Sequence, residues 1–183
     1  MSSFDDLLAV GDLRSDGLAN EVVRIVSSQP ELLPNLVDSL AANNPAARGH
    51  AADALEKIAR SHPAPFLEFL STISRQATSD EVPMVRWHLA MLLSHVSAFP
   101  QAVSIATSTL RKLLNDPSPF VRSWAITGLA INAQRRPSST QAAIRDLSPL
   151  TKDPSPAVAK RAKTALRALT DPKAQLPKSW IKT

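Results

Sequence analysis

Four histidines and one pair of acids are the residues of this chain best suited to metal or acid–base chemistry. His88 and His95 are seven residues apart, which separates them in a helix by two turns, about 10 Å. No HExxH or other chelating spacing occurs. Asp53 and Glu56 are three apart, where two carboxylates could cooperate in a cleft, but solvated surface charge is the commoner role of such a pair. We therefore predict no metal site and no cofactor.

Nucleophilic catalysis has equally little support. The many serines include no G-x-S-x-G elbow, and the absence of cysteine excludes thiol chemistry, disulfides and thiolate metal sites. Four glycines leave little material for a loop that could cradle phosphates. The sequence predicts no catalytic residues and a protein that is not an enzyme.

Length and composition predict one folded domain. The 183 residues are 44% hydrophobic and 20% charged, enough to bury a continuous core. No apolar stretch reaches the ~18 residues of a membrane span, and the start MSSFDDLLAV lacks the basic region of a secretory signal. We expect a cytoplasmic monomer with no membrane partner.

Four similar segments, each with a proline at or near its start, follow one another along the chain. Their prolines are Pro45, Pro83, Pro119 and Pro156, at spacings of 38, 36 and 37 residues. Proline suits the first turn of a helix, and the residues two, six and ten positions later are apolar or small, which places them on one helical face. The pattern predicts an all-α protein built from repeated helix pairs.

Second amphipathic stretches lie near 30–42, 63–77, 99–114 and 138–150 and supply the other helix of each pair. Pro34 and Pro149 should shorten or kink two of them. We predict an N-terminal helical cap over 1–28, repeats over 29–170 and a basic, proline-containing tail over 171–183, all within a single domain.

An acidic and a basic position recur within the repeats. Asp80 stands six residues before Arg86, and Asp116 stands six before Arg122. At the two ends the pattern is half present, with Arg48 in the first repeat and Asp153 in the last.

This Asp…Val-Arg pattern at a period near 37 resembles the HEAT-repeat family, over roughly residues 30–170. The segments RGHAADALEKIAR, EVPMVRWHLAMLL and DPSPFVRSWAITGLA are similar to small bacterial HEAT-repeat proteins of about this length. The resemblance implies a right-handed α-α superhelix of about four helix pairs, in which Asp and Arg form a ladder between neighbouring repeats. Forward pairing would join Arg48 to Asp80, Arg86 to Asp116 and Arg122 to Asp153.

Stacked repeats present their second helices on a concave face, and helical arithmetic predicts which residues face outward there. The predicted groove runs from acidic through apolar to basic. Its candidate partner-binding residues are Asp53, Glu56, Trp87, Met91, Ser123, Ile126, Thr127, Lys160, Lys163 and Arg167.

The tryptophans have different expected roles. Trp87 beside Met91 is a candidate hot spot, and packing of Trp87 against a neighbouring helix is an equally good interpretation. Trp124 should pack between repeats, and Trp180 should anchor the tail by folding back on the last repeat.

Charge is distributed unevenly along the chain. Residues 1–90 hold 7 Lys/Arg and 12 Asp/Glu, whereas residues 91–183 hold 14 and 4. The leading hypothesis is a non-catalytic scaffold that binds a protein or peptide in the concave groove. The alternative is nucleic-acid binding through the basic half, as the architecture of HEAT-like DNA glycosylases would allow. A HEAT-like lyase acting on a tetrapyrrole has only the repeat type in its favour.

Overall fold

A computed structural model describes residues 4–181 of the chain. Its regular structure consists of α-helices and short 3₁₀ turns, and residues 4–181 contain no strand. The helices are α1 (Asp5–Leu8), α2 (Ala19–Ser28), α3 (Leu33–Asp38), α4 (Pro45–Ser61), α5 (Leu70–Ser79), α6 (Pro83–Val96), α7 (Val103–Leu113), α8 (Pro119–Arg135), α9 (Thr140–Leu147) and α10 (Pro156–Thr170).

The four longest helices, α4, α6, α8 and α10, begin at the four prolines that the sequence singled out. Each proline lies in the first turn, where its missing N–H is no loss. The residue before each one is extended, as the proline ring requires. The proline and the extended residue before it therefore determine where each inner helix begins.

Those four helices form an inner layer in which α4 packs on α6, α6 on α8 and α8 on α10. Close approach is possible because the facing positions carry small side chains, among them Ala52, Ala90 and Ala130, all fully buried. Helices α5, α7 and α9 form the second layer, against the inner one. The chain is therefore an all-α solenoid of stacked helix pairs.

Proline also shapes the outer helices. A 3₁₀ turn precedes α3, α5, α7 and α9, beginning at Pro30, Ala64, Pro100 and Pro137. Helix α9 ends at Leu147 and continues as a 3₁₀ segment that contains Pro149. Pro34 is accommodated in the first turn of α3. Both prolines thus lie where an α-helix begins or ends.

The N-terminal segment is held against α4 by His50. The ring Nδ1 of this buried histidine lies 2.7 Å from the carbonyl oxygen of Leu8, and Nε2 lies 3.1 and 3.0 Å from those of Asp12 and Ser15. Gly17 approaches the same ring with φ +45°.

At the other end, the chain after α10 folds back on the last repeat. Leu176 is buried, and the ring of Trp180 lies over Arg161. Trp180 is therefore an anchor, as predicted. The first three residues of the predicted cap and the last two of the predicted tail lie outside the described residues, and the division at 28 and 170 remains a prediction.

Within residues 4–181, no helix has both the length and the apolar character needed to cross a bilayer.

Candidate interaction face

The three predicted Arg–Asp pairs are present and connect all four inner helices. Arg48 Nε donates to Asp80 Oδ2 at 2.8 Å, Arg86 Nε to Asp116 Oδ2 at 2.7 Å, and Arg122 Nε to Asp153 Oδ2 at 2.8 Å. A second nitrogen of each arginine approaches the other carboxylate oxygen, at 3.5, 3.0 and 2.8 Å. Each pair thus spans two repeats and sets their spacing.

Each ladder group also organises its own repeat. Oδ1 of Asp80 accepts a hydrogen bond from the N–H of Val82, and this contact shapes the turn that enters α6. Arg86 Nη1 donates to the carbonyl oxygens of Asp80 and Glu81, at 2.7 and 3.0 Å. The ladder therefore joins the start of one inner helix to the turn before the next.

The predicted apolar middle of the groove is not exposed. Met91, Ser123, Ile126 and Thr127 are all buried, with exposed fractions of 9% or less. The expectation of exposure was wrong because it treated each inner helix alone. In the stack, α6 packs against α8 and α8 against α10, so residues on the flanks of these helices are buried between them. Contact of Met91, Ile126 or Thr127 with a partner would require the stack to open, whereas Ser123, at 9% exposure, lines a surface groove.

The predicted acidic end of the groove is wrong for a different reason. Asp53 and Glu56 are buried under cations from their own helix, since Lys57 Nζ lies 2.7 Å from Asp53 Oδ2 and Arg60 Nε donates to both oxygens of Glu56. His95 Nε2 lies 3.2 Å from Glu56 Oε1. The two carboxylates join α4 to α6 and present no acidic surface.

The pKa of Glu56 reflects this setting. Burial alone would raise it, but hydrogen bonds from His95 and Arg60, with the positive charge of both, lower the pKa to about 2. Glu56 is therefore a carboxylate over the whole physiological pH range, and it holds two elements of the stack together.

One group of side chains has the composition of a metal site. Ligand atoms of Asp53, Glu56 and His88 lie within 4.8 Å of one another, a juxtaposition that histidine spacing alone did not reveal. The ammonium of Lys57 and the guanidinium of Arg60 already neutralise these carboxylates. A cation would have to displace them, so the arrangement favours an internal ion-pair network.

What the concave side does expose is an aromatic edge followed by a basic helix face. The ring of Trp87 is half-buried and packs 5.4 Å from that of Phe120, whose side chain is 64% exposed. Lys160, Lys163 and Arg167 are exposed on α10 and, at spacings of three and four, lie on one face. Of the predicted contact residues, Trp87 is partly exposed to solvent and these three cations are exposed.

Two important residues of this face were not predicted as contacts. Phe120 lies in the first turn of α8 and is exposed there. Arg161 lies between the rings of Trp124 and Trp180, 4.9 Å from each centroid. The sequence did contain one indication of a role for Arg161, because Trp124 occupies the equivalent position one repeat earlier. Trp124 packs between repeats, as expected.

Stacked helix pairs, a shared inner layer and an inter-repeat ladder define an α-solenoid repeat protein. Residues 33–130 and 107–176 match the sequence profile of HEAT repeats, and the chain belongs to that family.

Among solved structures, the chain is similar to the designed armadillo repeat protein YIII(Dq)4CqI. The two share 19% sequence identity over 91% of each chain, with a TM-score of 0.46. No curated protein matches this sequence.

Proposed function

We propose that this protein is a non-catalytic HEAT-repeat scaffold that binds a protein or peptide partner on its concave side. HEAT and armadillo repeats are commonly protein-binding scaffolds. The observation that carries the proposal for this chain is the aromatic edge formed by Phe120 and Trp87. A phenylalanine exposed to 64% beside a half-buried tryptophan is typical of an interface anchor.

The ladder supports the same conclusion indirectly. It holds the inner helices in a fixed register, so the aromatic edge and the basic face of α10 keep their separation before a partner arrives. Preorganisation of this kind lowers the entropic cost of binding.

Selection from a random-peptide display library tests the proposal. Wild-type protein is expected to enrich peptides that lose binding when Phe120 is changed to serine. Val10→Ser is the matched control, because Val10 is also an exposed apolar side chain, at 50%, but lies in the N-terminal segment. Failure to enrich any peptide, or equal enrichment by Phe120→Ser, would contradict a protein-binding role for this face.

Nucleic-acid binding is the second candidate, and the exposed cations of α10 are the observation in its favour. Anisotropy of labelled single- and double-stranded DNA and RNA, at about 50 and 200 mM salt, tests it. Binding through phosphates would weaken by orders of magnitude over this range, whereas a peptide anchored on Phe120 would lose much less affinity.

A further inference from the structure

The groove between the first turns of α8 and α10 is a distinct feature of the concave side. It encloses about 350 Å³. Its floor and walls combine apolar, hydroxyl and cationic groups, supplied by Pro119, Phe120, Ser123, Trp124, Ser155, Ala157 and Arg161. The aromatic edge borders this groove, because Phe120 belongs to both.

The guanidinium of Arg161 is fixed in one wall. The rings of Trp124 and Trp180 flank it, and Nη1 donates to Thr127 Oγ1 at 2.7 Å. A guanidinium carries five N–H donors in a planar fork, so this single hydrogen bond within residues 4–181 leaves most of its donors for a ligand. Aromatic flanks hold the plane of the group without using those donors.

Arg161 differs from the ladder arginines in its surroundings within residues 4–181. Arg48, Arg86 and Arg122 each bind a carboxylate, whereas no aspartate or glutamate in the described part of the chain forms an ion pair with Arg161. Burial lowers the pKa of Arg161. A partly desolvated cation without a counter-charge interacts strongly with an incoming anion.

The surroundings define the rest of the ligand. Lys160, Lys163 and Arg167 are exposed on α10, the helix that carries Arg161, and make it strongly basic. Phe120 adds an exposed apolar surface at the edge of the groove. A complementary ligand carries several carboxylates and one apolar side chain. Nucleic acid fits less well, because the first 90 residues have an excess of acids.

We propose that this groove binds an acidic peptide segment, with an aspartate or glutamate carboxylate on Arg161 and an apolar side chain against Phe120. The proposal rests on the protein-binding function above and specifies the chemistry of the partner. Two parallel N–H···O bonds from guanidinium to carboxylate would give the contact its direction. The cations of α10 would raise the association rate and would make affinity moderately sensitive to salt.

Titration of fluorescein-labelled short peptides, followed by anisotropy, tests this. The probes are an acetylated and amidated peptide of Glu and Asp with one central Phe, the same peptide with Gln and Asn, and single-stranded DNA. Arg161→Gln should weaken binding of the acidic peptide by about 10- to 100-fold, the loss expected of one charge-assisted contact. Arg145→Gln, on the outer helix α9, is the matched control and should change little.

A second pair of variants separates binding from folding. Arg161→Lys keeps the charge but loses the planar fork and should recover only part of the affinity. Phe120→Ser removes an exposed aromatic side chain and should lower the affinity for the acidic peptide without lowering the unfolding temperature of the protein. Both variants and Arg161→Gln are compared by circular dichroism before titration.

The outcomes distinguish the two proposals. Equal binding of the Gln/Asn peptide, or full affinity in Arg161→Gln, overturns the carboxylate site while leaving a protein-binding face intact. If display selection yields no peptide at all, the broader function fails. Binding of DNA but not of the acidic peptide, with a steep salt dependence, would assign the groove to phosphate instead.

Discussion

The middle pair of the ladder allows the sharpest prediction about stability. Arg86 and Asp116 are the most buried of the three pairs, with side-chain exposures of 9% and 6%. Arg86 also donates to the carbonyl oxygens of Asp80 and Glu81. Arg86→Met keeps most of the side-chain volume but leaves the carboxylate of Asp116 buried without its main partner.

Removing one partner of a buried ion pair lowers the free energy of unfolding by about 3–5 kcal/mol. For a domain of this size, each kcal/mol lowers the unfolding temperature by about 2–4 °C, so Arg86→Met should unfold about 6–20 °C below wild type. Arg111→Met is the control, because Arg111 pairs with Asp146 on the surface, at 45% and 27% exposure, where a pair contributes about 0–1 kcal/mol.

Thermal unfolding by far-UV circular dichroism, with urea unfolding as a second measure, compares the two variants. If Arg86→Met loses no more stability than Arg111→Met, the ladder does not hold the repeats together and the reasoning is refuted. A broad or two-step transition in Arg86→Met alone would instead show that the stack separates at this pair, as expected for a quasi-one-dimensional array.

Two further predictions concern the buried carboxylate of Glu56 and the backbone conformation of Gly17. The pKa of Glu56 in the folded protein is about 2, below its ordinary value of 4.5. The ionised carboxylate therefore stabilises the fold above about pH 4.5, by on the order of 3 kcal/mol, and this stabilisation is lost as the pH falls towards 2. Glu56→Gln should flatten the fall in stability measured by urea unfolding across that range, and an unchanged slope would exclude Glu56 as its source. Gly17 has φ +45° and its added Cβ would meet the carbonyl oxygen of Val10, so Gly17→Ala should cost about 1–2 kcal/mol or more. Hydrogen exchange should then accelerate at the N-terminal segment, and unchanged exchange there would contradict the strained geometry.

The periodic features of the fold could be predicted from sequence because they depend on local chemistry. Proline at a helix start and the six-residue Asp–Arg offset are each visible within one repeat. The helix starts at Pro83 and Pro119 followed from the proline pattern, whereas the pairing of Arg86 with Asp116 was implied by the resemblance to the HEAT-repeat family.

The accessible face could not be predicted in the same way. Exposure of Met91 and Thr127 depends on how closely the next inner helix approaches, a property of the whole stack. Asp53 and Glu56 looked like surface acids because the cations that cover them, and the histidines opposite, come together only in three dimensions. Arg161 became a candidate only when the structure placed it between two tryptophans.

Binding of an acidic peptide in the groove beside Arg161 can be observed through the three tryptophans of the chain. Their indole N–H signals can be followed by ¹H–¹⁵N NMR during titration with the acidic peptide and with its Gln/Asn copy. We predict that the signals of Trp124 and Trp180 shift with the acidic peptide, and that neither shifts with the copy or in Arg161→Gln. Unchanged indole signals at high concentrations of the acidic peptide, or equal shifts with both peptides, would exclude a carboxylate-binding site at Arg161.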